Sequence, residues 1–185
     1  DLRVVVLRGA GGHFCAGGNL QGLLERRRAG PPAQQQMIEH LHQFVEALRS
    51  FPKPVIAAVD GAAAGAGFSL ALACDLLVAA DDARFVLSYG RIGLSPDAGA
   101  SWSLMQALPR ARVQQLLWLA EPVTAQELAG WGLVAELTAS GQSFAGAMRL
   151  AERLGAMAPN ALASAKELLQ QASAGATLED QLAAE

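Results

Sequence analysis

The stretch "PVIAAVDGAAAGAGFSLALACDLLVAADDARFVL", residues 54–87, limits the fold more than any other part of the chain. Three apolar runs, at 54–59, 75–80 and 83–87, are rich in Val, Ile, Leu, Phe and Ala and read as buried strands. Between the first two lie residues 66–74, a short run of small side chains that suits a helix buried between sheets. Another run, "VVVL" at 4–7, reads as a further strand and leads into a second glycine-rich turn. Strands that alternate with helices make this an α/β chain.

The helical segments follow from spacing. Residues 34–50 place Met37, Leu41, Phe44, Val45 and Leu48 on one apolar face. "PKP" at 52–54 stops that helix and starts the next strand. Segments 101–108, 112–120 and 124–132 also read as helices, with Thr124 as an N-cap and Gly132 near the end of the last. The tail, 142–171, is helical and breaks at "APN", 158–160; Leu162, Ala165, Leu168 and Leu169 are expected to bury one face. Trp102, Trp118 and Trp131 lie on apolar helical faces and read as core. Residues 20–36, with "AGPPAQQQ", read as a mobile segment and as one wall of a pocket. Composition shifts near 136–142, which divides a strand-and-helix core, 1–137, from a C-terminal helical region, 138–185.

A chain of 185 residues with 52% hydrophobic side chains can bury one ordinary core. Its net charge of −3 gives no general attraction to nucleic acid or to an anionic membrane. The one basic cluster, Arg26, Arg27 and Arg28, reads as a solvated face, the alternative being a local phosphate contact. The longest apolar stretch, 55–80, is broken by Asp60, Asp75 and several glycines and does not read as a membrane span. Cys15 and Cys74 lie in apolar surroundings, which points to free thiols in a reducing, cytoplasmic setting. Cys15 lacks the His and carboxylate set of a nucleophile. His13, His40 and His42 show no metal spacing, and no metal site is expected. Asp60 reads as a turn residue and Asp75 as an acceptor for backbone donors. The chain starts inside a strand-like run without Met, and the expectation is that its native N-terminus is missing.

Two glycine-rich turns remain, "CAGGN" at 15–19 and "DGAAAGAGFSLA" at 60–71, each after a strand. Such turns let main-chain N–H groups approach a ligand closely. A phosphate cradle is one reading. However, Gly9-x-Gly11 and Gly65-x-Gly67 each lack the third glycine of a dinucleotide fingerprint, and no P-loop lysine follows. The other reading is a pair of amides aimed at one developing oxyanion.

In order and spacing, "HFCAGGNL", "AAVDGAAAGAGFSLALACDLLVAADDARF", "GRIGLSPDAGASW" and "TAQELAGWGLVAEL" resemble the crotonase superfamily, the enoyl-CoA hydratase and isomerase family. The resemblance runs from residue 2 to about residue 171 and, since relatives extend further at both ends, implies a chain incomplete at both. It implies a spiral of ββα turns followed by helices, assembly into trimers or hexamers, and an acyl-CoA substrate whose coenzyme A takes the place of any separate cofactor. It places the oxyanion amides at Gly18 and Ala66, with Ala16, Gly17 and Gly65 beside the substrate. The two glutamates of the family's hydratases fall at Ser69 and at Tyr89 or a neighbour within one residue, and neither is a carboxylate here. Asp97, in "SPDAG", stands where isomerase-type members carry a single acid.

The expected reaction is therefore a shift of a C=C bond from 3-enoyl-CoA to 2-enoyl-CoA, with Asp97 as the acid and base. Ser69 and Tyr89 would pack, or orient substrate or a water. A simpler role for Asp97 is to cap a helix beginning near Ala98. The rival functions are hydration of 2-enoyl-CoA, acyl-CoA binding without catalysis, and RNA binding through the Arg26–Arg28 cluster.

Overall fold

The structure, a computed structural model, describes residues 2–185. The chain climbs as a spiral that feeds two sheets in turn. β2 (Val55–Val59) enters the first sheet, the chain turns at Asp60 and Gly61, and β3 (Ala62–Ala64) enters the second. Helix α3 (Ala66–Ala73) then returns the chain to β4 (Leu76–Ala80) in the first sheet, and β5 (Arg84–Val86) follows in the second. A 3-10 turn at Ser88–Ile92 and helices α4 (Ala100–Ala107) and α5 (Arg110–Leu119) lead to β6 (Val123–Thr124), α6 (Ala125–Gly130) and β7 (Glu136–Thr138). With β1 (Val5–Arg8), the first sheet has the order β1-β2-β4-β7 and is parallel throughout. The second has the order β3-β5-β6, with β6 antiparallel to β5.

These elements form where they do for local reasons. Every residue of β2 is buried, as expected for a parallel strand covered on both faces. Phe68 of α3 and Phe85 of β5 are fully buried, with ring centroids 5.1 Å apart. Burying each contributes about 1.5–3 kcal/mol. The far side of the first sheet is covered by α7 (Ser143–Gly155), through Ala147 and Gly146. A Cβ on Gly146 would lie 2.6 Å from the Thr138 methyl carbon, so this helix docks only because it is glycine. Two further helices, α8 (Pro159–Ser173) and α9 (Leu178–Ala184), complete the described chain. Among the described residues no helix is long and apolar enough to cross a membrane.

The structure departs from the sequence reading in several places. Residues 20–36 hold helix α1 (Leu20–Ala29) and the start of α2 (Pro31–Ser50). Asn19 caps α1 by accepting from the Gln21 and Gly22 N–H groups, a signal present in the sequence and outweighed by the Gly and Pro content around it. On α2 only Val45 of the expected apolar face is buried, and Met37 and Phe44 are exposed. On α8, Leu169 is 70% exposed and Ala165 is exposed, because the helix lies on the surface with no fully buried residue. Of the three tryptophans only Trp131 packs against the core. Trp118 is 73% exposed, Trp102 carries the Arg49 guanidinium over its ring at 4.2 Å, and half-buried Trp131 carries Arg112 at 4.6 Å. The strands β3, β6 and β7 are too short to show a period in sequence.

Candidate active site

The two glycine-rich turns meet. Phe14 and Cys15 donate their N–H groups to Ala62 O at 3.1 Å, and the Ala64 N–H donates to Cys15 O at 2.8 Å. Cys15 thus pairs with β3 in a parallel bridge to Ala63, beyond the end of β1. The His13 ring strengthens the strap, its Nδ1 accepting the Ala62 N–H at 3.1 Å.

Contact this close admits no side chain at Gly61, where a Cβ would sit 2.3 Å from Gly12 O, nor at two further points. A Cβ on Gly67 would sit 2.1 Å from Cys15 O. A Cβ on Gly17, which has φ 89°, would sit 2.7 Å from Ala64 O and 3.4 Å from Ala66 N. Gly17 is therefore held against the start of α3.

Ala66 is the first residue of α3, so its N–H points out of the helix with no intrahelical acceptor. Gly65, the N-cap, has φ 52° and offers no capping side chain; its own N–H is fixed to Val86 O at 2.8 Å. The Gly18 amide makes no backbone hydrogen bond among the described residues.

From this turn a chain of oxygen contacts runs to the acid. Ser69, fully buried and one helical turn along α3, has its Oγ 3.3 Å from Gly65 O and 3.0 Å from Tyr89 OH. Tyr89, buried in the 3-10 turn, donates its phenolic hydrogen to Asp97 Oδ1. Burial first, and then the bond to Asp97, push the Tyr89 phenol well above its ordinary pKa, so it stays protonated and remains a donor.

Asp97 is half-buried and is followed by two left-handed residues, Ala98 at φ 50° and Gly99 at φ 76°. A non-glycine residue in that region costs on the order of 1 kcal/mol. Ala98 is held there by burial against Val45 and Ala73. The simpler expectation for Asp97 fails at this point, because α4 begins at Ala100 with Gly99 as its N-cap and no side-chain cap.

The structure therefore links Gly65, Ser69, Tyr89 and Asp97 through hydrogen bonds and places Gly17 beside Ala66. The bond from Tyr89 to Asp97 had no sequence signal, since eight residues separate them across an irregular turn. Other polar residues are committed elsewhere. Asp75 accepts from the Val55 N–H at 2.8 Å and from Lys166 Nζ at 2.7 Å. Asp60 accepts from the Ser143 hydroxyl at 2.7 Å. Both cysteines are free, and burial pushes the Cys74 thiol up to about 12. Arg26, Arg27 and Arg28 lie in the last turn of α1, where positive charge complements the helix dipole. Chemically, the site offers the Ala66 amide at the start of α3, linked through Ser69 and Tyr89 to one carboxylate that accepts from a phenol.

A family model described as enoyl-CoA hydratase/isomerase matches residues 1–185. A Rhodobacter capsulatus protein named "Probable enoyl-CoA hydratase" is 41% identical over 136 residues, covering 74% of this chain and 52% of that protein. The 1,2-epoxyphenylacetyl-CoA isomerase of Escherichia coli K12 is 34% identical over 182 residues, covering 98% of this chain and 69% of that enzyme. The crystal structure of an enoyl-CoA hydratase from Polaromonas sp. JS666 superimposes with a TM-score of 0.97 at 55% identity, over 99% of this chain and 71% of that one. The chain thus spans from about half to about 70% of the lengths of these relatives.

Proposed function

The chain belongs to the enoyl-CoA hydratase/isomerase family, and on that footing we propose that it moves a C=C bond of an acyl-CoA thioester from the 3 to the 2 position. The observation that carries this reading is the chain from Gly65 through Ser69 and Tyr89, which ends in a single carboxylate, Asp97. One acid that gives back the proton it takes suits isomerisation. The likeness to an isomerase of 1,2-epoxyphenylacetyl-CoA supports isomerisation of an acyl-CoA as the type of reaction.

In this mechanism the Asp97 carboxylate removes a proton from C2 of the 3-enoyl thioester. The electron pair spreads into a dienolate, and the charge reaches the thioester oxygen. The N–H groups of Gly18 and Ala66 receive that charge, each contributing about 2.7–4 kcal/mol to the transition state. Asp97 then delivers the proton to C4, giving the conjugated 2-enoyl thioester with no water gained or lost. Tyr89 fixes the direction of the carboxylate, and Ala16, Gly17 and Gly65 give the acyl group room beside the amides. The coenzyme A is part of the substrate, and the step uses no other cofactor.

Hydration of 2-enoyl-CoA is the second reading, favoured by relatives named hydratases. It requires a water held by Ser69 and Tyr89. Assembly into a trimer or hexamer completes the proposal, supported by exposed Trp118, Leu119, Leu178 and Leu182; sizing by light scattering tests it.

The deciding experiment incubates the chain with 3-enoyl-CoA and with 2-enoyl-CoA and follows product mass and thioester absorbance. Conversion of the 3-enoyl to the conjugated isomer without mass gain, lost by roughly 100-fold or more in Asp97→Asn, is the expected result. Gain of one water, unaffected by that substitution, overturns the assignment in favour of hydration.

A further inference from the structure

Three contacts run in series from the α3 turn to the acid: Gly65 O to Ser69 Oγ, Ser69 Oγ to Tyr89 OH, and Tyr89 OH to Asp97 Oδ1. A carbonyl and a carboxylate bring no hydrogen to such a series, and each hydroxyl brings one. Two hydrogens therefore serve three contacts, and one contact always lacks its hydrogen. The charge on Asp97 decides which, because a charge-assisted bond is about twice as strong as a neutral one.

With Asp97 ionised, Tyr89 donates to Asp97; the Ser69 hydrogen, which reaches Gly65 O at 3.3 Å or the Tyr89 oxygen at 3.0 Å, goes to the nearer phenol oxygen, which its own bond to the carboxylate makes the better acceptor, so the unfilled contact lies at Gly65 O. That oxygen still accepts the Ser69 N–H at 3.1 Å. When the other oxygen of Asp97 gains a proton, its hold on Tyr89 weakens to that of a neutral acceptor. Tyr89 then turns to Ser69 Oγ, and the Ser69 hydroxyl turns to Gly65 O.

Gly65 O and the Ala66 N–H belong to one peptide group. A hydrogen bond to the carbonyl end polarises that group and makes its N–H a stronger donor. Resting on the reading of Asp97 as acid and base and Ala66 as an oxyanion donor, we propose that Ser69 is a positioning residue that couples the charge of Asp97 to the donor strength of the Ala66 N–H. The proton that reaches Asp97 and the negative charge on the thioester oxygen arise in the same step. The C–H bond breaks toward Asp97, its electron pair moves to the thioester oxygen, and the two hydroxyl hydrogens turn about their C–O bonds without leaving them. The Ala66 donor is then strongest while the enolate exists, and weaker while substrate is only bound.

Two variants separate this coupling from packing. Ser69→Ala removes the hydrogen that reaches Gly65 O. Its kcat for 3-enoyl-CoA falls on the order of tenfold, while KM moves less than about twofold. Tyr89→Phe leaves the Ser69 hydroxyl only Gly65 O as a partner, so the Ala66 N–H is strengthened even before reaction. The probe is hexanoyl-CoA labelled with carbon-13 at the thioester carbonyl, which has no double bond to move. Its bound infrared carbonyl band shifts further down in Tyr89→Phe than in the unmodified chain, and the double variant with Ser69→Ala cancels the extra shift. A band that does not differ among these proteins, or an equal loss of kcat and of affinity in Ser69→Ala, overturns the coupling. If the unmodified chain does not isomerise 3-enoyl-CoA, or Asp97→Asn retains the activity, the underlying reading of Asp97 falls instead.

Discussion

Gly67→Ala sets two levels of reasoning against each other. Gly67 lies in the first turn of α3, and helix propensity alone favours Ala over Gly there by up to about 1 kcal/mol. The tertiary contact argues the opposite. An added Cβ would lie 2.1 Å from Cys15 O and 2.7 Å from both the carbonyl carbon and the Cβ of Cys15. The obstacle is mostly backbone, so no rotamer change relieves it. Opening the contact even to 3.0 Å moves the Cys15 carbonyl by about 0.9 Å, and a misplacement of about 1 Å among reacting groups costs on the order of 100-fold. The same carbonyl accepts the Ala64 N–H at 2.8 Å, so the strap between the two turns loosens with it.

The net expectation is a loss of about 1–3 kcal/mol in stability, overpacking outweighing propensity. In addition, with Gly18 and Ala66 in the proposed role of oxyanion donors, kcat/KM falls about 100-fold, because the shift separates the two turns that carry them. Urea unfolding and acyl-CoA turnover measure the two effects. Gly18→Ala is the stability control. A Cβ there meets nothing within 4 Å and the backbone is not left-handed, so unfolding stays within about 0.5 kcal/mol of the unmodified chain. A Gly67→Ala protein as stable and as active as the unmodified one would refute the claim that close approach of these turns forms the site.

Two further outcomes follow from groups outside the site. Lys166 on α8 donates to Asp75 Oδ2 at 2.7 Å, to Leu48 O at 3.3 Å and to Lys53 O at 3.4 Å, and its side chain is only 12% exposed. Lys166→Met is therefore expected to lower stability by about 2 kcal/mol, read by urea unfolding, with Asp75 keeping only the Val55 N–H. Burial holds the Cys74 thiol at about 12 against 9.0 when unfolded. The folded chain thus retains a proton that the unfolded chain releases, and stability falls as pH rises from about 9 toward 12. Cys74→Ala flattens that part of the unfolding-versus-pH curve, and folded Cys74 resists alkylation at pH 8.

Much of the architecture was legible because it is encoded within a few consecutive residues. The apolar runs at 54–59 and 75–80 became β2 and β4, and Thr124 caps α6 in a box with Glu127. The glycine-rich turns were legible for the same reason, since a close approach of backbones leaves glycine as its trace. Surface helices were less so. The periodicity at 34–50 and 159–173 is real, yet periodicity states which side chains share a face and not what covers it. Phe44 and Leu169 are exposed for that reason.

By itself the sequence determined an α/β chain with two small-residue turns, and its resemblance to a known family singled out Asp97. Only the tertiary structure decided that Ser69, Tyr89 and Asp97 form one series of contacts ending at Gly65. Those residues come from a helix, a 3-10 turn and a loop on successive turns of the spiral. What sets them side by side is the parallel register, Ile56 opposite Leu76 and Ala63 opposite Phe85. Register is a property of paired strands and of the core that buries them, and no local stretch of the chain contains it.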